Sequence, residues 1–314
     1  MTAGVNASGA DEVARYYDRN TRRFLWMGSG GGVHAMHREL WAPGVASARD
    51  AADHINRVLA DEIAELMAPS PTSSSPVIVD FGCGVGGTLF HLARRFPNAR
   101  LIGITLSPRQ VEIAERLAEE AGCADRCSFS LGDFQTANLD VRADAVVAVE
   151  SFVHSTSADA FLASAARHLR PDGCLIVADD FLASEAGALD ARQRVRVDQF
   201  RAGWRAPAIC TSDGLAGAAA RHGFAAGKVV DLTPLTRPGS RVRDRLTAAI
   251  SPLAARLGLG RMPFYGNMIG GNALQVALRE GFIVYKLLTF RRAAGDCRDA
   301  ARELTMRGAS PHGR

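Results

Sequence analysis

The sequence predicts an α/β protein in which a parallel sheet carries helices on both faces. Three observations lead there. Short apolar runs alternate with helical patterns from Val77 to Ala178. A glycine-rich turn, Gly82-Cys83-Gly84-Val85-Gly86-Gly87, joins the first run to the first helix of that alternation. Helix stops and caps (Pro97, Ser107-Pro108, Gly122 and Arg170-Pro171-Asp172-Gly173) fall where one element should give way to the next.

The elements follow in order. Residues 11–24 and 46–67 place apolar side chains at three- and four-residue spacing, as helices do. Gly28 to Gly32 part them, and a Pro- and Ser-rich linker runs from Ala68 to Pro76. Residues 1–76 are therefore expected to form an N-terminal helical cap and linker. From Val77 onward, strands are expected at 77–80, 100–104, 127–131, 144–149 and 174–178, and later at 228–232 and 282–290, making a seven-stranded sheet. Helices are expected at 87–96, from Ser107 to Gly122, and at 158–169. Further helices are expected at 188–200, 212–222, 241–257 and 272–280. This gives a core domain over 77–292, a helical insertion at about 237–270, and a polar tail at 293–314.

Composition narrows the function classes. The 314 residues are 47% hydrophobic and 22% charged, an ordinary globular balance. No apolar run approaches the ~20 residues of a membrane span. The first ten residues lack the basic and apolar regions of a signal peptide, so the expected location is cytoplasmic. Six cysteines contain no C-x-x-C pair and read as free thiols. The net charge of +4 is scattered, which argues against nucleic acid and is compatible with an anionic small substrate. A homo-oligomer is left open.

The strongest chemical signal is Asp80-Phe81-Gly82-Cys83-Gly84-Val85-Gly86-Gly87-Thr88, at a strand-to-helix turn. Glycines there let the backbone turn tightly and approach a ligand. The spacing is not the G-x-G-x-x-G of dinucleotide sites, and no phosphate-binding Lys follows. An acid directly before the glycines suits a cationic amino group. That fits the methionyl end of S-adenosylmethionine.

These residues resemble motif I of class I, Rossmann-like S-adenosylmethionine-dependent methyltransferases. Gly103-Ile104-Thr105-Leu106-Ser107-Pro108-Arg109-Gln110 resembles the second-strand motif of the branch holding geranyl and other prenyl diphosphate, sterol and tocopherol C-methyltransferases. Gly132-Asp133-Phe134 resembles the loop after strand three, and Leu169 to Gly173 the turn before strand five. The resemblance implies that Asp80, Gly82, Cys83, Gly84 and Gly86 hold the methionyl end. It implies that Thr105, Leu106, Ser107 and Gln110 flank the ribose. Asp133 would accept from the adenine amino group, with Phe134 beside the ring. Tyr16-Tyr17-Asp18 resembles the helical cap of the branch, with Tyr17 near the cofactor. The sequence departs from many methyltransferases in having no acid at the end of strand two.

For the acceptor, Val149-Glu150-Ser151-Phe152-Val153-His154 ends strand four, which should lie beside strand one at the switch point. Glu150 could deprotonate the carbocation formed when an alkene attacks the methyl group. His154 could instead activate a hydroxyl for O-methylation. A purely structural Glu150 is the third reading. By resemblance the favoured acceptor is a prenyl diphosphate. Its chain would meet Tyr16, Trp41, Trp204 and Tyr265. Its diphosphate would meet His34, His37 and Arg38. No acidic metal motif is present, so any Mg²⁺ would be held mostly by phosphate and water. A non-catalytic S-adenosylmethionine-binding protein is the alternative from another class.

Overall fold

The computed structural model describes residues 37–68, 75–239 and 263–294. Among these, helices α1 to α7 span Ala48–Met67, Gly87–Arg95, Pro108–Glu120, Ala158–His168, Ala191–Trp204, Ser212–Arg221 and Pro263–Glu280. Strands β1 to β7 span Val77–Phe81, Arg100–Thr105, Cys127–Leu131, Ala143–Val149, Leu169–Leu182, Phe224–Asp231 and Ile283–Arg292.

Local chemistry sets the helix starts. Ser47, Ser107, Ser157 and Thr211 each accept a backbone N–H of the first turn. Pro108 follows its cap at the position where a missing N–H costs nothing. Asp190 and Gln193 close a full capping box on α5. In α1, Ile55, Leu59 and Ile63 recur every fourth residue and are fully buried.

The seven strands form one sheet in the order β3-β2-β1-β4-β5-β7-β6. Pairings from β3 through β5 are parallel. The chain works outward from β1 to β3, then returns to β4 beside β1. Right-handed crossovers on the two halves therefore put helices on opposite faces. Sequence alternation pointed to an all-parallel sheet, but β7 runs antiparallel to both β5 and β6. The run into β7 comes straight out of α7 through Gly281, whose φ of 78° turns the chain back. The expected turn at Arg170 to Gly173 lies inside β5, where the ladder with β4 is irregular and Asp172 has φ 61°.

Helix boundaries moved most where packing, not periodicity, decides. α5 buries only Val197 and Phe200 among its inward residues, so it shows little apolar face. It runs to Trp204 because Gly203 lies against α7. A Cβ there would come within 2.3 Å of the Gly266 carbonyl oxygen. α7 begins at Pro263, nine residues before the expected 272, inside the segment assigned to an insertion. The rest of that insertion, 240–262, and most of the tail lie outside the described residues, as do the helices expected at 11–24 and 241–257. No helix among the described residues is long and apolar enough to cross a membrane.

Candidate active site

The carboxyl ends of β1, β2 and β4 meet where strand order reverses, and a cavity of about 1270 Å³ opens there. Its floor is the glycine turn. Gly82 sits at φ 84°, and its amide donates to the Ile104 carbonyl at 2.9 Å. A Cβ at Gly82 would lie 2.6 Å from the Ser151 Cβ. The turn can therefore press against the end of β4 only without a side chain.

Asp80, at the end of β1, lines this cavity and is 3% exposed. Burial pushes its carboxyl up to about 7. Among the described residues nothing hydrogen-bonds that carboxyl. A buried acid facing a cavity without a cation suits a ligand that brings one. The methionyl amine of S-adenosylmethionine is such a group, so the residues fit it.

Gly82, Cys83, Gly84, Thr105, Leu106, Gln110 and Phe134 also line the cavity. Thr105 Oγ1 donates to Gln110 Oε1 at 2.5 Å, joining the end of β2 to the start of α3. Phe134 stacks on Phe81 with centroids 5.0 Å apart, so it is also a core ring. Three expected residues lie outside the lining. Gly86 is the N-cap of α2 at φ 88°. Ser107 caps α3. Asp133 accepts from the Gln135 amide at 2.8 Å and shapes the loop after β3, while its neighbours Gly132 and Phe134 reach the cavity. Tyr16, Tyr17 and His34 lie outside the described residues. Tyr265 falls in the first turn of α7, with its side chain outside them.

A second cavity of about 920 Å³ adjoins the first. Trp41, Pro238, Leu274 and Leu278 supply its apolar wall, and Arg237 stacks over Trp41 at 3.8 Å. Three residues line both cavities: His37, Glu150 and Trp204. Glu150 is thus at the seam. Its backbone adopts φ 51°, a strained conformation for a non-glycine residue, and its amide donates to Ala178 at 2.8 Å.

Arg38 departs from its expected role toward a phosphate. Its backbone amide and Nε donate to Glu150 Oε1 at 2.9 and 3.2 Å, and its Nη2 donates to Asp180 Oδ2 at 2.6 Å. Burial works against its charge, but Asp180 and Glu150 outweigh that and raise its pKa further. The guanidinium is already neutralised by protein carboxylates.

His37 is half-buried between the two cavities, beside Asn56 and the Arg38 backbone. Burial lowers its pKa despite nearby Glu150, so the ring is neutral at pH 7. His154 lines the first cavity, and its Nδ1 lies 3.1 Å from the Arg205 carbonyl. Burial lowers its pKa too.

Sequence reasoning missed Thr88, Asp179 and Asp180, all in the first cavity. Asp179-Asp180 was legible as an acid pair in the apolar run Leu175 to Leu182, at the carboxyl end of a strand beside strand four. Asp179 accepts from the Val153 and Asp180 amides, and burial, then Asp180, push its pKa well above the usual range. Asp180 is raised to about 6, burial outweighing Arg38.

The family model described as a methyltransferase domain matches residues 78–173. A probable tocopherol O-methyltransferase of Oryza sativa subsp. japonica is 32% identical over 169 residues, 52% of this chain and 45% of that protein. This chain thus spans under half the length of that relative. An ajmaline N-methyltransferase of Rauvolfia serpentina is 23% identical over 91% of this chain and 99% of its own. Among solved structures, geranyl diphosphate C-methyltransferase from Streptomyces coelicolor A3(2) has the same fold. Its TM-score is 0.63 at 18% identity, over 91% of this chain and 98% of that one.

Proposed function

We propose that the protein, whose residues 78–173 match a methyltransferase-domain model, is an S-adenosylmethionine-dependent methyltransferase that C-methylates a prenyl diphosphate. One observation carries the reading. The Glu150 carboxylate stands at the seam between a cofactor cavity and a second cavity of mixed lining, in which Trp41, Trp204, Leu274 and Leu278 stand beside Arg38, Arg237 and Gln275, with Oε1 anchored and Oε2 without a partner among the described residues. The anionic end of the acceptor is a matter of resemblance, supported by the geranyl diphosphate enzyme that shares the fold.

Bound in the first cavity, S-adenosylmethionine supplies an electrophilic methyl group on a sulfonium sulfur. Asp80 pairs with the methionyl amine. The Thr105–Gln110 pair flanks the ribose, and Gly132 and Phe134 wall the adenine. Trp41, Trp204, Leu274 and Leu278 hold the alkene-bearing chain and keep water from it. As the alkene π electrons form the new carbon–carbon bond, the carbon–sulfur bond breaks and its electrons stay on sulfur. Positive charge then appears on the acceptor beside Glu150, where a fixed carboxylate stabilises it. Glu150 Oε2 takes a proton from the adjacent carbon, restoring a double bond.

With Arg38 engaged, Arg237 over Trp41 is, among the described residues, the cation lining the second cavity that is the candidate for the acceptor's anionic end. Among the described residues there is no group of three or more metal-ligating side chains. Any Mg²⁺ would therefore travel with the diphosphate, held by phosphate and water, and no step here runs through it.

The test is a panel of isopentenyl, geranyl and farnesyl diphosphates with methyl-labelled S-adenosylmethionine and Mg²⁺, using wild type and Glu150→Gln. Label in a diphosphate product from wild type alone supports the reading. Label only in hydroxylated or amine acceptors overturns it. His154 gives the O-methylation reading a specific basis. It is a half-buried imidazole on the cofactor cavity, kept neutral by desolvation, with Nδ1 3.1 Å from the Arg205 carbonyl.

A further inference from the structure

We propose that Arg38 is the positioning residue for Glu150, holding one carboxylate oxygen still so that the other meets the acceptor. The inference rests on the reading of Glu150 as the proton acceptor, and deepens it.

The contacts are lopsided. Both bonds from Arg38 to Glu150, backbone and Nε, fall on Oε1. A carboxylate held twice through one oxygen cannot swing, and its second oxygen keeps its lone pairs for the acceptor. The other arm of the guanidinium fixes Asp180 on β5, and its face lies 4.2 Å from the centre of the Tyr285 ring on β7. Tyr285 is paired in register with Asp180. One side chain therefore ties together the ends of β4, β5 and β7.

The charges agree with this role. Glu150, just past β4, and Asp180 on β5 face the guanidinium, with the Tyr285 hydroxyl buried on β7. His37 and His154, the titratable rings on the same walls, are held neutral by burial. Arg38 is the cation set among these carboxylates. Remove it, and Asp180, already raised to about 6, loses the cation that holds it down and stands as a like charge beside Glu150.

Lysine does not reproduce the arrangement. The fork reaches two carboxylates from Nε and Nη2 while its plane rests on a ring. An ammonium can neutralise charge but cannot hold that geometry.

The experiment compares wild type with Arg38→Lys, Arg38→Met and Asp180→Asn. It uses S-adenosylmethionine calorimetry, then kcat, KM and pH profiles on the acceptor that the panel above identifies. Cofactor Kd should stay within about threefold in the two Arg38 variants, because Arg38 does not line the first cavity. In Arg38→Met, kcat should fall at least a hundredfold with acceptor KM within about threefold. The acidic limb of kcat should move up by at least one pH unit. Arg38→Lys should return the limb toward wild type while kcat stays below a tenth, separating charge from geometry. Asp180→Asn placed in Arg38→Met should pull the limb back down. If Arg38→Met fails to bind cofactor, the Lys variant and Asp180→Asn decide by the same criteria. An Arg38→Lys kcat within threefold of wild type overturns the proposal while leaving Glu150's role intact. A fully active Glu150→Gln overturns the role of Glu150 itself, and with it the basis for Arg38.

Discussion

Cofactor affinity should depend on pH through Asp80, and the size of the effect follows from its burial. The carboxyl is 3% exposed and burial pushes it to about 7. Pairing with the methionyl amine requires the ionised form. At pH 8 about nine-tenths of the protein carries Asp80 ionised, and at pH 6 about one-tenth, one decade per pH unit below the pKa. Kd for S-adenosylmethionine should therefore weaken about tenfold between pH 8 and pH 6, or roughly 1.4 kcal/mol. The raised pKa also means that the empty protein favours the protonated form. Its stability should fall as pH rises from about 4 through 7, and bound cofactor should offset that loss. The assay is calorimetric titration from pH 5.5 to 8.5 in wild type, Asp80→Asn and Asp180→Asn. Asp180 is the needed control, since it is raised to about 6 and titrates nearby. The wild-type slope should vanish in Asp80→Asn, with binding weak throughout, and persist in Asp180→Asn. A flat wild-type Kd, or an unchanged slope in Asp80→Asn, refutes the assignment.

Two further perturbations test how the site is built. Gly82→Ala combines a positive-φ alanine, about 1–2 kcal/mol, with a 2.6 Å contact on Ser151, about 1–3 kcal/mol of overpacking. Urea denaturation should show the loss, and cofactor binding should weaken with it; unchanged stability contradicts the close approach. Asn56→Ala removes a buried side chain that accepts from Thr88 Oγ1 at 3.0 Å and donates to Asp53 Oδ1 at 3.0 Å. Stranding the Thr88 hydroxyl at the cofactor cavity should cost about 1–3 kcal/mol. Thr88→Val in the same chain should recover part of it, and no recovery would show that the pair is not coupled.

Much of the architecture was legible because it is written locally. The strand–glycine–helix turn, the cap at Ser107 and the short apolar strands are each set by neighbours within a few residues. Glu150 and the cofactor residues of β1 and β2 followed from their place at strand ends. The role of Arg38 was not legible. Its partners Glu150 and Asp180 lie 112 and 142 residues away, and only the folded sheet brings them together. A sequence shows that Arg38 can bind an anion, but not that protein carboxylates already occupy it. α5 and α7 were misplaced at their ends for a related reason. A polar helix with two buried apolar residues shows no stripe, and glycines that read as breakers let α5 and α7 close on each other.

The central claim is that methyl transfer occurs at the Glu150 seam and ends on carbon. The most direct measurement is carbon-13 NMR and mass spectrometry of the product made from methyl-labelled S-adenosylmethionine, in wild type and Glu150→Gln. The account predicts a new methyl–carbon bond beside a restored double bond in wild type, and loss of that product in Glu150→Gln. A labelled methyl on oxygen or nitrogen, formed equally well by Glu150→Gln, would contradict it.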